Sequence, residues 1–339
     1  MKLKRTLECY HSFESGWSPA IVVLDGSDDG YREQNESICN GYSTVEYVAR
    51  PGSGFCSRLI EYLEQNRGST PVCLGTDEDV FLPEYLTSAA EFLNSHPDYS
   101  MQLGRYFTFL RPLGPLNRLS HQRDVITTLD INQESMSRRI SLLACAIATG
   151  CCPVYWGVRR ADQLLESLKC QSKLQFQSSQ ELIDQILLAY QGKIRISPLP
   201  MLLRDETNLE YVYTEDRHDH FNYFPPEEHQ LLLELLAGVG GKDLAHAATS
   251  CTDRYALDYV AAGSPSMAIQ SHKKTYAKYE PVRPSDKNFL YRSVFHLMRT
   301  ATILAEMLTA LRDIKVLKHM YSDDTLDIFV RRVKSNQIF

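Results

Sequence analysis

The sequence predicts an α/β protein, a mixed sheet flanked by helices and followed by a helical C-terminal extension, and three features predict it. Short apolar runs alternate with amphipathic segments over the first part of the chain. Two of those runs, in IVVLDGSDDGY and PVCLGTDED, lead directly into clusters of acids and turn formers. Beyond Pro225 and Pro226 the strand pattern stops, and EEHQLLLELLAGVGG and NFLYRSVFHLMRTATILAEMLTALRDIKVLKHM carry apolar residues at helical spacing.

Each element follows from its own residues. Met1 to Phe13 reads as a helix, and Ala20 to Leu24 as a strand short and apolar enough to be buried. DGSDDGY supplies turn chemistry before a helix near Tyr31 to Asn40. Val45 to Val48 is a second strand, ARPGSG a loop, and Phe55 to Gln65 a further helix. Pro71 to Leu74 is a third strand, and it delivers the chain to TDED. Such an order is the plan of a parallel sheet, whose ligands gather beyond the carboxyl ends of the strands. Both acidic turns fall there.

After Pro83 a helix runs from Glu84 to Asn94, Ser100 to Leu110 is a strand, and Ser135 to Thr149 is helical. Pro153 to Val158 is strand-like, and Ser179 to Tyr190 is a helix with a stop signal at Gly192. Ile194 to Leu203 is extended but too rich in proline for a central strand. A boundary near residue 225 separates a first region, 1–225, from a helical one, 226–339.

Bulk properties narrow the function. A chain of 339 residues, 43% of them hydrophobic, buries a sizeable core and is not disordered as a whole. A net charge of -6 argues against nucleic acid as a partner, because phosphate binding needs clustered positive charge. No stretch reaches the roughly 18 to 20 apolar residues of a membrane span, and MKLKRTLECYHSFESGW has no secretion-signal core. A cytoplasmic location is expected. The nine cysteines are odd in number and irregular in spacing, with no CxxC, which fits reduced and mostly buried thiols.

The acids of LGTDEDVFLPEYL have two readings. Asp77, Glu78 and Asp79 either complement a helix dipole, or they hold a divalent cation that relieves their mutual repulsion. Mg²⁺ or Mn²⁺ bound by one or two carboxylates and by substrate phosphates is a common arrangement. In IVVLDGSDDGY, Asp25, Ser27, Asp28 and Asp29 follow a strand, where a carboxylate accepts hydrogen bonds from a base or ribose, or simply closes an Asx turn. Two such turns after successive strands favour a ligand site over coincidence.

VVLDGSDDGY resembles the VVDDGSTDGT signature of family-2 glycosyltransferases of the GT-A fold, the Rossmann-like fold of nucleotide-diphospho-sugar transferases, and LGTDEDVFLPEYL resembles their DxD segment. TDEDVFLPEYLTSAAEFLNSHPDYSMQLGRY and YQGKIRISPLPMLLRDE are similar to a bacterial subgroup of that superfamily, and the likeness spans roughly residues 1 to 215. The resemblance implies transfer of a sugar from a nucleotide-diphosphate donor to a saccharide or related acceptor, with inversion and with Mg²⁺ or Mn²⁺. It assigns Asp25 to the base or ribose, with Ser27 and Asp29 shaping that turn, and Arg58 to the diphosphate, against a solvated arginine on its helix. Asp77 and Asp79 become the outer acids of DxD, Asp79 as direct metal ligand and Asp77 nearer the ribose or donor sugar. Glu78 stands where the subgroup has a middle Asp.

Inverting transfer needs a base for the acceptor hydroxyl. Family-2 enzymes take it from an acidic pair opening a helix that ends in Gly, and counting back about eleven residues from Gly192 reaches Glu181, with Asp184 second in line. The bland alternative is a capping-box pattern at Ser178 or Ser179. Other candidates are weaker: His218 and His220 as ligands against a surface loop, Tyr155 and Trp156 as a sugar-stacking surface against core packing, and Arg204 for diphosphate against a structural ion pair. RRVKSNQIF and the C-terminal helices offer a peripheral membrane or partner contact, against a satellite bundle on the core. Family members open with a strand and a loop of the type TVVIPTYNRP, whereas this chain opens at the helix that follows it, so the first strand is expected to be missing. A non-catalytic saccharide-binding or scaffold protein of a polysaccharide-assembly system is the rival reading.

Overall fold

The computed structural model describes residues 2–13, 20–66, 68–77, 79–110, 120–122, 131–148, 156–205 and 226–261. Among them are eight helices, α1 (Lys2–Ser12), α2 (Asp29–Cys39), α3 (Phe55–Gln65), α4 (Pro83–Ser95), α5 (Met136–Ala148), α6 (Ala161–Gln171), α7 (Gln177–Gln191) and α8 (Pro226–Ala261). The strands are β1 (Ile21–Asp25), β2 (Val45–Ala49), β3 (Pro71–Val72), β4 (Asp79–Phe81), β5 (Tyr99–Leu110), β6 (Ser120–Gln122), β7 (Val158–Arg160) and β8 (Lys193–Asp205). The fold is mixed α/β, as the alternation of apolar runs predicts.

The strands form two sheets. β1 and β2 pair in parallel, Ile21 opposite Val45 and Asp25 opposite Ala49. The second sheet runs β3-β7-β5-β8-β4, with β6 added to β5, and only β5 and β8 are parallel within it. Among the described residues, β1 pairs on one edge and β3 on one edge. The apolar residues of β1, expected to be buried, are half-buried.

Two expectations about the sheet are overturned. The first three strands do not share one parallel sheet: β1 and β2 pair alone, and β3 joins the second sheet antiparallel to β7. β8 is a central strand between β5 and β4, despite Pro198 and Pro200. The prolines are accommodated by an irregularity: Leu103 lies opposite Ile196 and Arg105 opposite Pro200, so two steps along β5 face four along β8. The irregular stretch contains Pro198, whose missing N–H therefore interrupts no regular ladder, while Pro200 stays in register opposite Arg105.

The second sheet carries the main core. α4 packs on β5 and β8 through Tyr85, Ala89 and Leu93, and the Tyr85 hydroxyl donates to the Gln102 carbonyl at 2.5 Å. α7 packs on the same two strands, and α5 and α8 pack on α7 and on each other. Leu232, Leu236 and Leu244 of α8 join this core, so the described part of the C-terminal region is continuous with the sheet region. α8 is broken at Gly240 and Gly241, the latter at φ 73°, a left-handed conformation that favours glycine. A smaller cluster joins α3 and α6 through Leu63, Leu164 and Leu168.

A buried ion pair ties these parts together. Arg159 of β7 and Asp184 of α7 are each 1% exposed, with Nη1 2.6 Å from Oδ1. The same oxygen accepts from the Ser167 hydroxyl at 2.5 Å and Gln171 Nε2 at 3.2 Å, both on α6. Removing one partner strands a buried charge, a loss of about 3–5 kcal/mol. Asp184→Ala is therefore expected to lower the unfolding free energy in urea by about that amount; a loss under about 1 kcal/mol would contradict the role.

Candidate functional site

The first acidic turn stands where the parallel pair ends. The Arg50 amide donates to the Asp25 carbonyl at 2.7 Å, which joins the two strand ends. Asp25 is 6% exposed, and its carboxylate accepts three hydrogen bonds. Oδ1 takes the Ser27 amide at 2.8 Å, an Asx turn, and Oδ2 takes Asn35 Nδ2 at 2.9 Å and the Tyr47 hydroxyl at 2.8 Å. Burial pushes the Asp25 pKa up, but the bonds from Ser27, Asn35 and Tyr47 outweigh it and hold the carboxyl below its ordinary value. Burial, with a further contribution from the Asp25 charge, pushes the neighbouring Cys39 thiol up to about 11.

Asp29 opens α2 beside the N-cap Asp28 and pairs with Arg32 at 2.5 Å. Both positions suit an acid in a first helical turn. Arg58, one turn into α3, reaches this site. A Cβ added to Gly26 would lie 2.1 Å from Arg58 Nη1 and 2.6 Å from its Cζ, so the guanidinium rests against the glycine inside the acidic turn. Arg58 Nη1 also donates to the Ser53 carbonyl at 2.5 Å. Tyr31 and Phe55, the most exposed large apolar side chains among the described residues, stand in the first turns of the two helices that flank the site.

The second acidic turn precedes and enters β4. Asp77 is exposed, whereas Asp79 is 1% exposed and lies within the strand, opposite Arg204 of β8. The Asp79 carboxylate closes the turn: Oδ2 accepts the Thr76 amide at 2.8 Å and the Thr76 hydroxyl at 3.0 Å. The Asp79 amide returns a bond to the Thr76 carbonyl at 3.1 Å. α1 holds the same turn from another side, through Thr6 to the Asp77 carbonyl and Tyr10 to the Asp79 carbonyl. The sequence placed this acid in a loop ahead of a helix; it begins an edge strand instead.

Glu181 and Asp184 differ sharply. Glu181 is half-buried and accepts from Gln177 Nε2 at 3.0 Å. Asp184 is sealed in the ion pair with Arg159, which makes it an anchor of α7 and not a solvent-facing base. The chief neighbours of α7 are α5, α6, α8, β5 and β8, so the fold does not set this helix directly on either acidic turn. Trp156 is half-buried against the main core, in keeping with packing. Glu78, Tyr155, His218, His220 and the C-terminal segments past residue 261 lie outside the described residues, as does the Arg204 side chain.

Among the described residues, no three His, Cys, Asp or Glu side chains gather as metal ligands. The donors at the second turn are nonetheless carboxylate oxygens, the ligand type that Mg²⁺ and Mn²⁺ take, and one or two suffice when substrate phosphates complete the shell. Asn35, Tyr47, Thr6 and Tyr10 were not legible as site residues, since only the folded chain brings them there. Thr76, three residues before Asp79, did carry a turn signal in the sequence.

No family model matches the chain, and no curated protein matches it. Among solved structures, it is similar to S. aureus TarS residues 1–349, with TM-score 0.47 and 14% identity over 82% of this chain and 74% of that one. A second S. aureus TarS structure gives TM-score 0.38 and 13% identity over 81% of this chain and 53% of that one. Both scores are under 0.5, and the functional reading rests on the residues of this chain. No helix among the described residues is long and apolar enough to cross a membrane.

The lowered Asp25 pKa has a consequence for stability. A carboxyl held below its ordinary value contributes stability that is complete above that value and disappears as pH falls through the lowered one. Asp25→Asn is expected to cost about 1–3 kcal/mol at pH 7, and the gap from wild type should begin to narrow only below about pH 4 and shrink further as pH falls through the lowered value. Urea midpoints measured across pH check this; a gap constant with pH would refute it.

Proposed function

We propose that this protein is a metal-dependent glycosyltransferase that moves a sugar from a nucleotide-diphosphate donor to a saccharide or related acceptor, with inversion. The observation behind the reading is the Arg58 guanidinium resting on Gly26 inside the acidic turn that ends a parallel strand pair. A cation packed against a glycine backbone at a strand's carboxyl end suits a diphosphate, and the neighbouring turn suits a nucleoside. Asp25, fixed in direction by Ser27, Asn35 and Tyr47, contributes to the nucleoside side of the site. Ser27 and Asp29 shape it, and the exposed faces of Tyr31 and Phe55 border it.

Asp77 and Asp79, with Glu78 between them, form the turn that would hold Mg²⁺ or Mn²⁺. When bound, such an ion neutralises the charge that develops on the leaving diphosphate. Asp77 offers an exposed carboxylate, and Asp79 offers one whose direction Thr76 fixes. Glu181 is the base that takes the acceptor proton; Asp184, locked by Arg159, sets the rotation of the helix that bears it. The rival reading, a saccharide-binding protein without turnover, draws support from the engagement of both Asp25 and Asp79 in closing their own turns.

Calorimetry separates the two. Micromolar binding of UDP, GDP, CDP or ADP is expected only when Mn²⁺ is present, and Asp79→Ala should abolish the metal effect. If none of the four binds with the metal, the reading fails. With a turnover assay, Glu181→Gln should lower kcat about 10²–10⁴-fold and leave nucleotide binding intact; unchanged kcat removes Glu181 from the role.

Substitution at Gly26 tests the Arg58 contact. Gly26→Ala should evict the guanidinium and weaken nucleoside diphosphate binding about tenfold, as Arg58→Ala does, and the double variant should lose no more than either single one. Full additivity would mean that the two residues act apart.

A further inference from the structure

We infer that α1 is a positioning strut for the second acidic turn, with Thr6 and Tyr10 as the positioning residues. The two residues are four apart on one helical face, so both reach the same neighbour. The Thr6 hydroxyl donates to the Asp77 carbonyl at 2.6 Å. The Tyr10 hydroxyl donates to the Asp79 carbonyl at 3.2 Å and accepts the Phe81 amide at 2.9 Å. One phenol thereby satisfies a donor and an acceptor of β4 on the edge that faces away from β8, a position a neighbouring strand would ordinarily fill.

Every bond in this set is to backbone, so it fixes where the main chain runs through the acidic turn while leaving the acids' side chains to other partners. Thr6 is buried and Tyr10 packs on the main core, which holds both hydroxyls in place. α1 also leans on the elements around the two-stranded sheet: it packs on α2, and the His11 ring lies 5.5 Å from that of Tyr42 in an edge contact. The two sheets share no strand pairing among the described residues, so α1 is a link through which the first acidic turn and the second keep their spacing.

The inference rests on the proposed role of Asp77 and Asp79 toward a divalent cation. Residues behind a metal's direct ligands typically change its affinity by about 10–100-fold when they are removed. Thr6→Val and Tyr10→Phe keep the volume and the ring and delete only the hydroxyls. Each is expected to weaken Mn²⁺ binding, titrated with and without UDP and read by calorimetry and by the electron paramagnetic resonance signal of free Mn²⁺, about tenfold. Thr6→Val should still unfold in a single cooperative urea transition, and Thr6→Ser should restore the affinity. Should Tyr10→Phe fail to fold, the Thr6 pair decides the matter. A wild type that binds Mn²⁺ no more tightly than Thr6→Val overturns the strut; a wild type that binds none, with or without UDP, overturns the functional reading and the strut with it.

Discussion

The pairing of Arg159 with Asp184 is the constraint on which the arrangement of the large sheet and its helices depends. It joins β7, α6 and α7 at one buried point, with Ser167 and Gln171 sharing the load on Oδ1. Taking both charges out of water is costly, and the cost is recovered only in one geometry. A slip of α7 by a single residue would rotate Asp184 by about 100° away from the guanidinium. The pair therefore fixes the register of α7 against the sheet, and Glu181, one turn earlier, inherits that register. Hydrophobic contacts along α7 tolerate small shifts far better than this bond does.

The two acidic turns follow a shared logic. In each, a nearly buried aspartate closes its own turn with a backbone amide and a hydroxyl or amide side chain, while other acids of the turn, Asp28 and Asp29 in one and Asp77 in the other, face solvent. The buried acid gives the turn its shape, and the exposed ones give it its charge. Gly26 adds the cation: because it has no side chain, Arg58 can approach the main chain itself. Under the proposed function, such a division would leave the site preorganised for a charged ligand, since its backbone is held before anything binds.

Much of the fold was legible because helix and strand periods differ. The runs at Ile21 and Val45, the amphipathic stretch from Phe55 and the Pro83 helix start all matched a single local pattern. β8 and β4 were misread for physical reasons. Proline carries a strong local prior against a central strand, and only β5, nearly a hundred residues away in sequence, supplies the irregular pairing that overrides it. β4 is too short for its period to show, and it forms because β8 passes beside it. At the site, types of residue could be read from the sequence, whereas Tyr47, Asn35, Thr6 and Tyr10 act through distances that no local pattern encodes. Asp184 was visible as an acid in the right helix, but its buried partner on β7 was not.

The pairing of Asp79 with Arg204 also governs when the site can exist. β4 has no partner strand until β8 has been made, and β8 lies more than a hundred residues downstream. Contacts of such long range are slow to form, because the chain between them must be ordered before they repay it. During synthesis the segment around Asp79 thus leaves the ribosome with the Thr76 and α1 contacts available to it, and gains its partner strand only once residues 201–204 arrive. The ladder that ties the second acidic turn into the sheet is therefore a long-range contact, dependent on the completion of β8.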